Sequence, residues 1–220
     1  MLVVSDIHGK RAAVQKAVRD CGEWDCVAIA GDLTDFGDRR GATAVLAPLV
    51  KCGKPIVAVS GNCDLEGVRE FLAESGYSVD GRGRVVAGLR FAGSGGGLHR
   101  NGMTPYELSD DELEEGLLGA IGSCPEDPGP WVYLTHTPPQ GTDSDRRGST
   151  HSGSLSFRTL LSELMPALWI SGHIHESRAV SLVGRTTLVN PGSLAEGSYA
   201  VIDFGPGAGC TPLAACLMWL

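Results

Sequence analysis

A chain of 220 residues with 42% hydrophobic and 20% charged residues can bury a core, which excludes an intrinsically disordered protein. The net charge of −8 excludes a dedicated DNA or RNA binder, which would carry a basic stripe, and no apolar run approaches membrane-spanning length. Seven scattered cysteines, an odd number without a Cys-x-x-Cys pair, fit buried free thiols of a reducing cytoplasm rather than a disulfide framework or zinc ribbon.

The chain opens on a strand, so no signal peptide is expected. Leu2–Ser5, Val27–Ala30 and Ile56–Ser60 are short apolar or β-branched runs ending in Gly, Asp or Asn, as buried parallel strands do. Between and after them, apolar residues recur at helical spacing: Val14, Ala17, Val18 and Cys21, then Val45, Leu46, Leu49 and Val50, then Val68, Phe71 and Leu72. The unit is βαβαβ and predicts a parallel sheet with helical crossovers, its ligand site beyond the strands' carboxyl ends. A hairpin follows (Val85–Val86, Leu89–Ala92) and leads into Gly93-Ser94-Gly95-Gly96-Gly97, read as a flexible turn. Ser109-Asp110-Asp111-Glu112 is a capping box opening a helix through Leu113, Leu117 and Ala120, with a proline-rich connector at Pro125–Pro130. Trp131–Thr135 reads as a strand, Leu155–Leu164 as a helix and Leu168–Ser171 as a strand. Ala179–Val183 and Thr186–Val189 form a hairpin across Gly184-Arg185; Tyr199–Phe204 is a further strand, and Cys210–Leu220 a last strand or docked tail. One α/β domain over residues 1–220 is the expected organisation.

The chemistry sits in an ordered series of donors, each just past a strand. These are Asp6 and His8, Asp32 after Gly31, Asn62 and Asp64 after Gly61, His136, and His173 and His175 after Gly172. Singly, each has an ordinary role: Asp6 as a helix cap, Asp32 and Asn62 as turn residues, His136 as a loop histidine. His173 and His175, two imidazoles at i and i+2, are harder to explain away. Donors behind five separate strands form one constellation, and carboxylate, amide and imidazole donors suit hard to borderline divalent cations. A pair of such ions clamps the attacking and leaving oxygens of a displacement at phosphorus.

This series resembles the calcineurin-like metallophosphoesterase superfamily, in order and from residue 1 through the Asn190-Pro191-Gly192-Ser193 turn. The resemblance implies an α/β fold of four layers, an αββα sandwich on the βαβαβ core. It implies Asp6, His8 and His175 on a first metal, Asp32 bridging, and Asn62, His136 and His173 on the second, with Asp64 orienting Cys63. Two divalent ions are expected, Mn²⁺ foremost, with Fe, Zn, Co or Ni as alternatives. The expected function is a phosphodiesterase in which a metal-bridging hydroxide attacks phosphorus in line. The alternatives are a non-catalytic metal-binding scaffold and a phosphomonoesterase or phosphoprotein phosphatase.

Cys63 departs from the pattern, since many members carry His there to protonate the leaving oxygen or grip the phosphate. That puts general-acid catalysis in doubt and favours leaving groups needing little protonation. Asn62, Cys63, Asp64 and His151 are the candidate catalytic residues. His151 is included because its loop, with Arg146 and Arg147, precedes a helix whose N-terminus could receive phosphate oxygens; its ordinary reading is a solvated loop. Asp35 is read as supporting a metal donor, and His99-Arg100 as a lid or surface element. The expected partner is a small phosphorylated substrate, with no nucleic-acid groove and no membrane, and a homodimer on general grounds.

Overall fold

The computed structural model describes residues 1–99, 102–205 and 212–220; Arg100 and Cys210 lie outside the described residues. Strands β1 (Leu2–Val4), β2 (Val27–Ala30) and β3 (Ile56–Val59) alternate with helices α1 (Arg11–Asp20), α2 (Arg39–Lys51) and α3 (Glu66–Glu74). The middle holds β4 (Arg84–Val86), β5 (Leu89–Ser94), the short β6 (Gly97–Leu98) and β7 (Glu107–Leu108), and α4 (Asp110–Ser123). Then come β8 (Trp131–Thr135), a small hairpin of β9 (Arg146–Arg147) and β10 (Thr150–His151), α5 (Leu155–Leu164) and β11 (Leu168–Ile170). The chain closes with β12 (Ala179–Val183), β13 (Thr186–Asn190), β14 (Ser198–Asp203) and β15 (Ala214–Trp219).

Two large sheets result, a five-stranded one in the order β15-β14-β1-β2-β3 and a six-stranded one in the order β12-β13-β11-β8-β5-β4, beside the two-stranded pairs β9–β10 and β6–β7. The period-2 geometry of strands explains how they are covered. Leu2 and Val4, Val27 and Ile29, Ile56 and Ala58 face helices α1, α2 and α3 through Val14, Ala17, Val45, Leu46, Leu49, Val68 and Leu72. Their neighbours Val3, Ala28, Ala30, Val57 and Val59 point the other way, against Phe91, Val132, Leu134, Leu168, Ile170 and Val189 of the second sheet. The far face of that sheet (Ala92, Tyr133, Trp169, Leu188) packs on Leu113 and Leu117 of α4 and Phe157, Leu160 and Leu161 of α5. Three interlayer cores mean four layers, αββα.

The strands β1, β2 and β3 run parallel, with Leu2 opposite Val27 and Val27 opposite Ile56. In the second sheet β5, β8, β11 and β13 are also parallel. The carboxyl ends of β1, β2, β3, β8 and β11 therefore carry the donor loops, two sheets contributing to one edge. The predicted capping box of α4 is present: the Ser109 side chain accepts from Glu112 N, and the Glu112 side chain returns to Ser109 N.

Several local expectations change. The Gly93–Gly97 segment is not a flexible turn. It finishes β5 and enters β6, tied by Gly95 N to Asp80 Oδ1 at 2.9 Å and Gly96 N to the Ser60 carbonyl at 3.0 Å. Glycine is required because the segment lies on the β3 loop; a Cβ on Gly97 would sit 2.8 Å from Asn62 Cβ. The C-terminal run is a strand, paired along its length with β14. The six described cysteines are free thiols as expected, but only Cys26 is buried and Cys216 is exposed. Among the described residues no helix is long and apolar enough to cross a membrane.

Candidate metal centre

The donor loops leave their strands in an unusual backbone conformation. Asp6, His8, Asp32 and His173 all have positive φ, between 44° and 68°. Non-glycine residues rarely occupy this region, and such strain concentrates at functional sites. Backbone bonds hold it in place: Ile7 N and His8 N donate to the Asp32 carbonyl at 2.8 and 3.0 Å, and Gly172 N donates to the His136 carbonyl at 3.1 Å. The glycines before the donors let the loops close on one another. A Cβ on Gly172 would overlap Ser5 Oγ and Asp6, and one on Gly61 would overlap the Asp32 carboxylate.

The side chains converge. Asp6 Oδ1 lies 3.1 Å from His175 Nε2 and 3.9 Å from His8 Nε2, which is itself 3.9 Å from Asp32 Oδ2. The two imidazole nitrogens His8 Nε2 and His175 Nε2 face each other at 3.4 Å. His136 Nε2 is 3.6 Å from Asp32 Oδ2 and 2.8 Å from Asn62 Oδ1, and its ring meets that of His173 edge-on at 5.0 Å.

Three overlapping sets of donor atoms fit a single cation each: Asp6, His8 and His175; Asp6, Asp32 and His136; His8, Asp32 and Cys63. They are joined through the shared carboxylates of Asp6 and Asp32. Asn62 and His173, expected on the second metal, adjoin this group through His136: the Asn62 amide oxygen meets its Nε2 and the His173 ring packs on its ring.

The residues fit divalent metal ions on three observations. Asp6 and Asp32 are almost fully buried, a costly placement for carboxylates without cationic partners. Asp6 Oδ1, though at ion-pair distance from His175, makes no hydrogen bond, and neither does the buried His8 Nδ1. The third concerns His136, whose Nδ1 donates to the Ala30 carbonyl at 2.7 Å, leaving Nε2 facing the amide oxygen of Asn62. The Asn62 amide nitrogen is turned the other way, to Cys63 Sγ at 3.4 Å. Acceptor thus faces acceptor unless a proton or a cation lies there.

The metal-free electrostatics show the same deficit of positive charge. Burial alone would raise the Asp6 carboxyl, but His175, His136 and the Ser5 hydroxyl overcome it and hold it at about 2. Asp32 is raised, chiefly by burial. His136 is raised because Asp32 and Asp6 outweigh its burial, and His175 is pushed up to about 9 by its contact with Asp6.

Other expected residues fall elsewhere. The Asp64 carboxylate does not orient Cys63. It accepts from Leu33 N, Thr34 N, Thr34 Oγ1 and Gly61 N at 2.9–3.1 Å, stitching the Asp32 loop to the Asn62 loop. Cys63 is half-buried with its N–H on Asp32 Oδ1 at 2.8 Å; burial and then Asp32 push its thiol far above the ordinary range.

His151 stands apart from the three donor sets and binds Asp145, Nδ1 to Oδ1 at 2.6 Å. Asp145 also accepts from the backbone of Gly141, Thr142, Ser152 and Gly153, so the pair clasps its own loop. The α5 N-terminus beside it is not open to phosphate. Asp110 of α4 already accepts from Ser154 Oγ, Ser156 N and Ser156 Oγ there. Arg146 and Arg147 are exposed, the latter 4.0 Å from Glu176. His99 is exposed beside Glu107 at 3.3 Å, and Asp35 faces solvent rather than backing a donor. Sequence reading missed Glu196, 3.4 Å from His175 Nδ1, and Ser5, which donates to Asp6 Oδ2 at 2.6 Å. Ser5 precedes Asp6 directly, which was the available signal; Glu196 is 21 residues beyond His175 and had none.

Comparison with known proteins places this geometry. Protein MJ1162 of Methanocaldococcus jannaschii is 29% identical over 207 residues, covering 91% of this chain and 89% of that protein. The crystal structure of TT1561 from Thermus thermophilus has a TM-score of 0.69 at 23% identity, over 90% of this chain and 91% of that one. A dimetal phosphatase from Danio rerio shares the fold with a TM-score of 0.57 at 12% identity, over 91% of each chain. A family model described as calcineurin-like phosphoesterase matches residues 1–177, a span that contains every donor of the site. With the family matched over most of its length and a donor cluster fit for divalent cations at its strand ends, the chain belongs to the calcineurin-like phosphoesterases, metal-dependent hydrolases of phosphoric esters.

Proposed function

We propose that the chain is a phosphodiesterase acting on a small phosphorylated substrate with two divalent metal ions, Mn²⁺ foremost. The observation that carries the two-metal part is the joining of separate donor sets through Asp6 and Asp32. In this reading Asp6, His8 and His175 hold one ion, Asp32 is shared, and Asn62, His136 and His173 hold the other. When bound, the ions supply Lewis-acid neutralisation of the phosphoryl oxygens and lower the pKa of water toward neutrality.

The chain's own residues do the rest. Ser5 and His173 N fix Asp6 Oδ2 at 2.6 and 3.1 Å, leaving Oδ1 free for the site. The Ala30 carbonyl sets the His136 tautomer so that Nε2 presents its lone pair, and Glu196 plays the corresponding part at His175 Nδ1. Asp64 holds the loops of Asp32 and Asn62 in register. Cys63, its thiol kept protonated, is a weak proton donor to a departing oxygen. That supports aryl esters or nucleotide phosphates, whose leaving groups need little protonation, as the better substrates.

The test is hydrolysis of bis(p-nitrophenyl) phosphate against p-nitrophenyl phosphate by metal-stripped protein reconstituted with Mn²⁺, beside an Asp32→Asn control. Mn²⁺-dependent turnover that prefers the diester and disappears in the control is expected. Preference for the monoester would overturn the diester assignment, and failure to retain metal would overturn the site.

A further inference from the structure

The loops that bring Asn62 and His136 to the second metal position are held by one part of the chain. His136 N donates to the Ser94 carbonyl at 3.3 Å, and Thr137 Oγ1 donates to the Gly96 carbonyl at 3.1 Å. Gly96 N donates to the Ser60 carbonyl at 3.0 Å, Tyr106 N donates to the Asn62 carbonyl at 3.2 Å, and Gly97 packs against the Asn62 side chain. The donors of the first metal position take their bonds elsewhere. Asp6 is held by Ser5 and His173 N, His8 N by the Asp32 carbonyl, and His175 by Asp6 and Glu196.

Tyr106 locks that part in place. Its carbonyl accepts from Gly97 N at 2.9 Å, joining the stretch 94–99 to the stretch 102–108 where β6 meets β7. Its ring lies against Gly96, where a Cβ would be 3.3 Å from two ring carbons. The Arg69 guanidinium of α3 covers the ring at 4.1 Å from its centroid, a cation–π contact.

The Tyr106 hydroxyl donates to Asp80 Oδ2 at 3.3 Å. Asp80 is the hub of the assembly, since its Oδ1 accepts from Gly95 N at 2.9 Å and its Oδ2 from Ser60 Oγ at 3.4 Å. One carboxylate thus ties the end of β3, the end of β5 and Tyr106 together. The approach to Tyr106 is clasped as well, because Glu107 accepts from Gly102 N, Met103 N and Thr104 N, each at 3.0 Å. A tyrosine suits this place: phenylalanine would keep the ring but lose the carboxylate, and a smaller residue would leave Arg69 and Gly96 without a surface to pack on.

We infer that Tyr106 is a positioning residue of the phosphoesterase site. Anchored by Asp80 and Arg69 and bonded to Asn62, it fixes the Asn62 and His136 loops and thereby the second metal position, leaving the first untouched. The inference rests on the two-metal reading of the donor cluster. Groups that orient metal ligands without touching the ion are worth roughly 10–100-fold in metal affinity.

The test is Mn²⁺ loading of metal-stripped protein, read by calorimetry for the affinity of each site and by electron paramagnetic resonance for spin coupling between the ions. Wild type is expected to take two ions per chain and to show a coupled pair. Tyr106→Ala should hold its first ion as tightly as wild type and its second roughly 10–100-fold more weakly, so that a single-ion signal replaces the pair. Tyr106→Phe, nearly isosteric, removes only the bond to Asp80 and should weaken the second site in the same sense by a smaller factor. A second site unchanged in both variants would overturn the inference. So would equal weakening of both sites in Tyr106→Ala, the mark of a merely structural role. A wild type that takes a single ion would instead overturn the two-metal reading, and the inference with it.

Discussion

Asp6 Oδ1 lies 3.1 Å from His175 Nε2, a carboxylate and an imidazole delivered by strands of two different sheets. In the metal-free protein each shifts the other. Asp6 falls from 3.8 to about 2, and His175 rises from 6.5 to about 9. A carboxylate with a depressed folded pKa adds stability that is present above its unfolded value and lost as pH falls through the folded one. An imidazole with a raised folded pKa adds stability that is present below its unfolded value and lost as pH rises through the folded one. Metal-free protein should therefore receive the pair's full contribution between 3.8 and 6.5, and lose it toward 2 and toward 9. Urea midpoints of the chelator-treated protein across this range would show it as a gap between wild type and His175→Gln that closes at both ends. A gap constant with pH would count against the pairing.

The same pair predicts a proton signature of metal binding. A cation at His175 must displace the proton that Asp6 stabilises, so loading near neutral pH should release about one proton per chain from this site. Apparent affinity should climb with pH and level off above about 9, where His175 is already neutral. Titration of Mn²⁺ by calorimetry in two buffers of different ionisation enthalpy measures the release directly. Identical heats in both buffers at neutral pH would contradict it.

At Gly172 the two sheets' donor loops pack with no room for a side chain. A methyl group there would overlap Ser5 Oγ, which bonds both Asp6 and the Ala30 carbonyl. Gly172→Ala is expected to lower stability by about 1–3 kcal/mol, as overpacking does, and to displace Asp6 from its place in the cluster. Thermal melts with and without Mn²⁺ would show a lower melting temperature and a smaller metal-induced rise. A variant that melts like wild type and is stabilised equally by metal would mean that the loops do not need this contact.

What could be read in the sequence was whatever has a local signature. The β-branched runs at Val27–Ala30 and Ile56–Val59, the helical periods of α1 to α3, the capping box at Ser109 and the donors just past each strand all lie within a few residues of their own evidence. What was not legible depends on partners far along the chain. Asp64 looked like an aid to its neighbour Cys63, yet its bonds go to Leu33 and Thr34 and back to Gly61. The α5 N-terminus looked open to phosphate because nothing nearby in sequence announces that Asp110 fills it. Gly93–Gly97 read as loose because flexibility and close packing both select glycine, and only the neighbouring Asn62 loop decides between them. His151 differs, since its partner Asp145 lies within its own loop; both a solvated histidine and an internal clasp fit that loop's sequence, and only the side-chain geometry separates them.

Cys63 bears on the chemistry most directly. Burial and the nearby Asp32 charge keep its thiol protonated, so it serves neither as a thiolate nor as a strong acid. With p-nitrophenolate, which departs without a proton, Cys63→Ala should therefore change turnover little. Cys63→His should do little for that substrate as well, but raise turnover of diesters with alkyl leaving groups by roughly 10²-fold, the scale of general-acid catalysis. The reading is the slope of log kcat against leaving-group pKa over a series of diesters: steep for wild type and for Cys63→Ala, shallow for Cys63→His. The backbone bond from residue 63 to Asp32 is kept in both variants, so metal content should match wild type and serves as the control. A wild-type slope already shallow would show that another group protonates the leaving oxygen. A slope unmoved by the imidazole would show that residue 63 does not face the departing group.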